Sequence, residues 1–298
     1  MSIVPAATGC KREALLFISV VVPSFNRPKS TLRAVRSALS QTFAPIEVIV
    51  VDDASDPPLD PQRFHALDSR VAVHRLAQNS GAAAARQRGI DCARGELIAF
   101  LDSDDLWEPE KLARQVRVLS DAGSGPVAVS CGWRERAPDG EVRRARVPVD
   151  AVRPVDFISG CWFCPGSTVI LPRALFAEIG PFDARLRRLE DLDWFARFGL
   201  ADGRLLVVPQ VLAEIEIGRR ARCADVDPAV ETILGKPIWR EALDGSGQRA
   251  LRAWLDVERG RAFLNDGRWI RAGLYLARSF ARVPRMRIQL RDWWDAVL

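Results

Sequence analysis

Three stretches of the chain are almost continuously apolar, and each ends abruptly in a polar cluster. Leu15 to Val22 reads LLFISVVV and runs into Pro23-Ser24-Phe25-Asn26-Arg27. Ile46 to Val51 reads IEVIVV and runs into Asp52-Asp53. Glu96 to Leu101 reads ELIAFL and runs into Asp102-Ser103-Asp104-Asp105. A strand with one wet face alternates apolar and polar residues. Runs of this kind therefore predict strands buried on both faces, as in a parallel sheet covered by helices. They are too short to span a bilayer.

The segments between them supply the helices. Ser30 to Gln41 has helical spacing, with Leu32, Val35 and Leu39 on one face and Ser30 or Thr31 placed to cap it. Val71 to Leu76 predicts a shorter strand, Ser80 to Ala93 an Ala-rich helix, and Pro109 to Leu119 a helix with proline near its first turn. This order implies a parallel sheet with right-handed crossovers, and ligands of such sheets bind at the strand C-termini, where the polar clusters fall. After Gly123 the pattern shortens: a strand at Val127 to Trp133, helices at Arg173 to Ile179 and Leu189 to Leu200, and a strand at Arg204 to Val208. From Asp227 on it reads as helical, over Ala229 to Leu243, Gly247 to Asn265, Trp269 to Arg282 and Met286 to Val297. The expected organisation is an α/β domain over 15–225, in halves 15–120 and 121–225, and a helical extension over 226–298.

Charge narrows the partners without choosing one. The 298 residues carry a net charge of +5, with arginine dense after Arg249. Guanidinium forks suit nucleotide phosphates, an anionic membrane surface or nucleic acid. Six cysteines are too few for a disulfide scaffold in a chain of this length. Met1 to Arg12 lacks a signal-like apolar region. The expectation is a cytoplasmic protein, with peripheral contact at the inner face of the plasma membrane as a further option.

Three carboxylates in the four residues Asp102 to Asp105 repel one another unless a cation or solvent compensates. Carboxylates, waters and substrate phosphates are how Mg²⁺ or Mn²⁺ is usually held; the plain alternative is an acidic turn that caps a helix. Asp52-Asp53 offers the same choice. Glu190-Asp191-Leu192-Asp193 holds candidates for a general base, or an acidic first helical turn favoured by the helix dipole. Pro23 to Arg27 has no glycine-rich phosphate loop, which argues against a dinucleotide enzyme, a P-loop nucleotidase or a nucleotidyltransferase.

Together these segments resemble the family 2 glycosyltransferases of the GT-A fold. SVVVPSFNR is similar to that family's opening strand, VIVVDDAS to its second strand and acidic pair, NSGAAAARQRG to its N-x-G-x-x-x-A-R-N-x-G segment, ELIAFLDSDDLWEPEKL to its D-x-D metal motif, and IGPFDARLRRLEDLDWFARF to its G-x-F-D and E-D motifs. The resemblance covers about residues 17 to 215. It implies a Rossmann-like mixed sheet and metal-dependent (Mn²⁺ or Mg²⁺), inverting transfer from a nucleotide-sugar, UDP being the usual base, to a glycan or lipid-linked acceptor in cell-surface polysaccharide assembly.

By that resemblance Phe25 stacks on the base and Asp53 accepts a hydrogen bond from it. Pro23, Ser24, Asn26 and Asp52 shape the pocket, and Arg86, Asp102 and Ser103 lie near the nucleotide. Asp104 ligates the metal with help from Asp102, and Asp191 is the catalytic base with Glu190 beside it. One departure stands out: where many relatives carry a downstream histidine, this chain reads AEIEIGRRARCAD, so Arg219, Arg220 or Arg222 is the candidate cation for the diphosphate.

Other readings weigh less. Cys161-Trp162-Phe163-Cys164 lacks the partner ligands of a zinc or redox site and reads as structural, near the acceptor side. Trp239, Trp254, Trp269, Trp293 and Trp294 interleave with arginine, which fits helices packing on the catalytic domain or, less often, lying on a membrane. A degenerate, non-catalytic nucleotide- or partner-binding protein is the alternative function. Nucleic-acid binding has no recognition motif behind it.

Overall fold

The computed structural model describes residues 16–137, 140–217, 221–284 and 290–291. Its first half alternates as expected: β1 (Ile18–Ser24), α1 (Pro28–Leu39), β2 (Ile46–Asp52), α2 (Pro61–His65), β3 (Val71–Arg75), α3 (Ala82–Cys92) and β4 (Leu97–Phe100). The four strands are parallel, in the order β3-β2-β1-β4. Ser24 sits opposite Asp52, Asp52 opposite Arg75, and Phe100 opposite Val21. The polar clusters after all three apolar runs therefore lie on one edge. β1, β2 and β4 are buried on both faces apart from a half-exposed Pro23. That is the physical reason their sequences are so apolar.

The second half turns the sheet antiparallel. It runs β5 (Leu106–Trp107), α4 (Lys111–Asp121), β6 (Val127–Arg136), β7 (Val142–Pro148), α5 (Pro154–Phe157), α6 (Pro165–Thr168), β8 (Ile170–Pro172), α7 (Leu175–Glu178), α8 (Glu190–Leu200) and β9 (Arg204–Glu216). β8 pairs antiparallel with β4 and β6, and β9 runs parallel to β6 while receiving β5 antiparallel. The result is the mixed α/β sheet expected from the sequence. Gly89 sets how closely α3 lies on it: a Cβ there would come 2.3 Å from Val21 Cγ1.

The extension comprises α9 (Cys223–Leu234), α10 (Ile238–Ala242), α11 (Gly245–Asn265), α12 (Trp269–Arg282) and β10 (Leu290–Arg291), which pairs antiparallel with β7. It packs on the second half through one apolar cluster, in which Ile158, Leu186, Leu192 and Ala196 meet Val230, Trp239, Leu251 and Phe263. Trp254 lies so close over Gly160 that a Cβ there would be 2.2 Å from its ring.

Several expectations need correction. α1 begins at Pro28 with Arg27 as its N-cap, and neither Ser30 nor Thr31 caps it. Thr31 instead bonds back to the Arg27 carbonyl at 2.7 Å. The helix expected over Ala229 to Leu243 breaks after Leu234, because Pro237 disfavours helical geometry at Lys236. Of the helix expected over Met286 to Val297, Leu290–Arg291 is strand; its other residues, Trp293 and Trp294 among them, lie outside the described residues.

Candidate functional site

One buried arginine gathers the acidic edge. Arg86 leaves α3 and donates from Nη2 to Asp102 Oδ1 at 2.8 Å, from Nη1 to Glu190 Oε1 at 2.7 Å, and from Nη1 to Asp191 Oδ1 at 3.3 Å. Asp102 follows β4, and the other two open α8, so three separate elements converge on one guanidinium. Three carboxylates around one cation leave an excess of negative charge. Burial is the main reason the Asp191 carboxyl is pushed up to about 7; Glu190 and Asp102 push the same way, and Arg86 and Arg188 oppose them. A base that titrates near neutrality is well matched to taking a hydroxyl proton.

Close behind stands Gly166, the second residue of α6. A Cβ there would lie 2.5 Å from Asp102 Oδ2 and 3.2 Å from Arg86 Nη2. Only glycine lets this helical turn back directly onto the ion pair. Its neighbour Ser167 receives the Asp102 backbone N–H at 2.9 Å on a hydroxyl that itself donates to Asp105 at 2.5 Å. Asp105 also accepts the Glu216 N–H at 2.9 Å and is committed to the scaffold. Burial and the charges of Asp102 and Asp104 push its carboxyl well above the usual range.

Asp104 stands apart, paired with Arg27 at 2.5 Å. Burial, then the negative charge of Asp102, raises its pKa against the pull of Arg27. A divalent cation fits this deficit of positive charge. Among the described residues no group of three or more His, Cys, Asp or Glu side chains is placed to hold a metal unaided. Asp102 and Asp104 are the two side chains here that could contribute to a Mg²⁺ or Mn²⁺ site, with phosphate oxygens and water supplying the remaining ligands. Ser103 is buried between the two carboxylates.

The β1 and β2 edge is built differently. Asp53 accepts from Asn79 Nδ2 at 2.9 Å, Ser80 N at 2.7 Å and Gly81 N at 2.8 Å. It thereby ties the N-terminus of α3 to β2. Burial nonetheless leaves its carboxyl raised. Asp52 accepts from Ser55 N at 2.9 Å, Leu59 N at 3.2 Å and Arg75 at 2.5 Å. Burial pushes Asp52 up, but those bonds outweigh it and hold the carboxyl below its ordinary value. Ser24 Oγ and Thr31 Oγ1 share a hydrogen bond of 2.7 Å. Asn26, at φ +53°, receives the Asp56 N–H on its side chain at 2.8 Å and donates its own N–H to Ser55 Oγ. These bonds fix the loop that presents Phe25, 44% exposed, next to the half-buried Pro23.

The sequence candidates thus form two neighbourhoods, Pro23–Asn26 with Asp52–Asp53, and Arg86 with Asp102, Glu190 and Asp191. Asp193, in the same acidic run, turns away to Lys236 and Arg197. Arg222 pairs with Asp266 of the extension, and Arg219 and Arg220 lie outside the described residues. Cys161 and Cys164 are thiols that burial pushes well above their usual range. Sequence reasoning missed Arg27 as the partner of Asp104. It placed the stretch running from Cys161 into Gly166 and Ser167 near the acceptor side, but not the contacts of these two residues with Asp102, Arg86 and Asp105.

A parallel half-sheet ending in an acidic turn, extended by antiparallel strands and faced by a carboxylate pair from a later helix, places the chain in the GT-A class of α/β folds. S. aureus TarS, solved in complex with UDP, superposes on it with a TM-score of 0.63 at 22% identity, over 90% of this chain and 81% of that one. The chain belongs to glycosyl transferase family 2, whose sequence profile it matches over residues 19–180. The succinoglycan biosynthesis protein ExoO of Rhizobium meliloti is 32% identical over 267 residues, 83% of this chain and 75% of ExoO. An Escherichia coli relative, WfgD, described as a UDP-Glc:alpha-D-GlcNAc-diphosphoundecaprenol beta-1,3-glucosyltransferase, is 38% identical over 105 residues, 34% of this chain and 40% of its own. Against two uncharacterized Rickettsia glycosyltransferases at 28% identity, the chain spans 57% and 58% of their length.

Proposed function

We propose that this chain transfers a sugar from a nucleotide-diphosphate sugar, a UDP-sugar in the first instance, to an acceptor hydroxyl with inversion at the anomeric carbon. The process it serves is bacterial cell-surface polysaccharide assembly, on the cytoplasmic side of the membrane. The observation that carries this reading is Asp191, pushed up to about 7 and held by the same arginine as Asp102 of the metal motif.

Phe25 offers an open ring for the base to stack on. Asp53 has three of its roughly four acceptor positions filled, which leaves room for one N–H from the base. Asp102 and Asp104 hold the divalent ion, which supplies charge stabilisation for the departing diphosphate when bound. Arg86 fixes the orientation of Asp102, Glu190 and Asp191 at once. Asp191 takes the proton from the acceptor hydroxyl as it attacks, and Glu190 keeps the local charge negative so that the proton is welcome there. A single displacement with one base gives inversion. WfgD's acceptor, a diphosphoundecaprenol-linked sugar, supports a lipid-linked glycan as the acceptor here and a working position against the membrane surface.

The test is calorimetric titration of UDP, GDP and dTDP into the protein with and without Mn²⁺, alongside Asp104→Ala. Metal-dependent binding of one nucleotide, lost in the variant, is expected. Failure of all three to bind with metal present overturns the assignment in favour of a degenerate scaffold.

A further inference from the structure

The extension leaves one helix face uncovered. Inward, α12 buries Ala272 and Ser279 and stacks Tyr275 on Phe263 with centroids 5.4 Å apart. Outward it presents Trp269, Ile270, Leu274 and Phe280, exposed by 70%, 84%, 61% and 66%. At about 100° per residue Ile270 and Leu274 lie opposite the packed residues and Trp269 and Phe280 on one flank, so the four line a face roughly 140° wide along a helix about 21 Å long. An exposed apolar ridge of this size on an otherwise well-packed helix marks an interaction surface.

The charges name the occupant. α12 carries Arg271, Arg278 and Arg282 and no acidic residue. The three arginines fall on one border of the ridge. Arg271 and Arg278 line a groove of about 380 Å³ with Phe263, Leu274, Tyr275 and Asp227. The acids nearby already have partners: Asp227 is paired with Arg259 at 3.0 Å, and Asp256 is paired with Arg282 and, at the longer distance of 3.9 Å, with Arg278, whose side chain is 55% exposed. Arg271 has no carboxylate partner among the described residues, and its guanidinium lies over the Phe263 ring. An apolar ridge bordered by cations, with a cationic groove at its side, is the pattern of a helix lying in a bilayer interface, apolar side down and arginines at the phosphates. A second copy of the chain fits poorly, because a two-fold contact on this ridge meets the same arginine border with no acid on the helix to answer it.

We propose that the outer face of α12 docks the enzyme on an anionic phospholipid bilayer, with Ile270, Leu274 and Phe280 entering the acyl boundary and Arg271 and Arg278 binding lipid phosphates. Of the tryptophans in the extension, Trp239 is buried and Trp254 packs over Gly160, so among the described residues the contact falls to Trp269. α12 rests on α11, where Gly260 admits Leu276, and α11 shares an apolar cluster with α8, the helix that carries Asp191. The docked face is therefore one helical layer from the acceptor side. Docking does not depend on the transfer reading; its purpose, reaching a lipid-linked acceptor, does.

The test uses the full chain and sedimentation with phosphatidylcholine vesicles with and without phosphatidylglycerol, at low and high salt. Binding to the anionic vesicles, weakened by salt, is expected. Leu274→Glu with Phe280→Glu should lower partitioning roughly 100-fold, and Arg271→Ala with Arg278→Ala roughly 30-fold. Melting temperatures check that each variant is folded, and UDP calorimetry on the same samples separates this result from failure of the transfer reading. The proposal falls if the wild type stays in solution. It also falls if the Leu274/Phe280 variant sediments unchanged, which would move the contact to the C-terminal residues. A dimer by light scattering that this variant dissolves would assign the ridge to a second copy instead.

Discussion

Asp52-Asp53 after β2 and Asp102 to Asp105 after β4 look alike in sequence, each an acidic stop to a buried run, yet the fold uses them in different ways. Four backbone N–H groups, Asn79 and one arginine, Arg75, which Asp52 does not share with another carboxylate of the cluster, take up the first pair, joining β2 to the loop after it and to the start of α3. In the second cluster only Asp105 is absorbed by the scaffold. Asp102 and Asp104 face arginines, Arg86 and Arg27, and Arg86 must also serve Glu190 and Asp191. Carboxylates satisfied by backbone amides are structure. Carboxylates crowded around too few cations are poised to bind a cation or a proton.

The largest effect that would sharpen this contrast belongs to Asp191. On the proposed reading Asp191→Asn should lower kcat about 10³-fold, with UDP affinity kept, since it would remove the proposed proton acceptor and little else. In the wild type kcat/KM should rise with pH as Asp191 loses its proton near 7. Stability should run the other way. A carboxyl raised in the folded state binds its proton more tightly there than in the unfolded chain. Its contribution is therefore complete at low pH and is lost as pH climbs from the ordinary carboxylate range to about 7. A pH profile without that rise would take the base role from Asp191.

Next comes Asp104→Ala, which should weaken Mn²⁺-dependent UDP binding by at least the 10–100-fold typical of losing a group that merely supports a metal ligand. Unchanged metal dependence would place the cation elsewhere. Gly166→Ala should follow at about 10²-fold in kcat/KM, the scale of a displacement near 1 Å in a catalytic group. The new methyl must push Asp102 or Arg86 aside. Measured together with the melting temperature, a rate loss without unfolding would tie the α6 turn to catalysis.

The parallel half was legible because burial on both faces forces an apolar run, and such runs can be seen without knowing their neighbours. β7 was not, because Val142–Pro148 is exposed along most of its length and carries three arginines, so no apolar signal marks it. β8 is three residues long and is defined by its partners β4 and β6. At the site, the carboxylates and Arg86 could be named from the sequence resemblance. The geometry that separates Asp191 from Asp193, two residues on along the same helix, could not. Gly166 reaches Asp102 across 64 positions of chain, a contact that exists only once the sheet has formed.

The smallest catalytic effect is expected at Asp52, and it tests the other half of the comparison. Asp52→Ala strips the acceptor from two buried N–H groups and from Arg75, which should cost about 1–3 kcal/mol of stability at neutral pH. Because hydrogen bonds hold this carboxyl below its ordinary value, its contribution is present above the unfolded pKa and fades as pH falls through the native one. The destabilisation caused by the substitution should therefore shrink in acid. The turnover of folded enzyme at saturating donor should stay near wild type, measured beside urea denaturation. If kcat instead collapsed while stability held, the two acidic ends would be doing the same work, and counting backbone amides would not tell a scaffold carboxylate from a catalytic one.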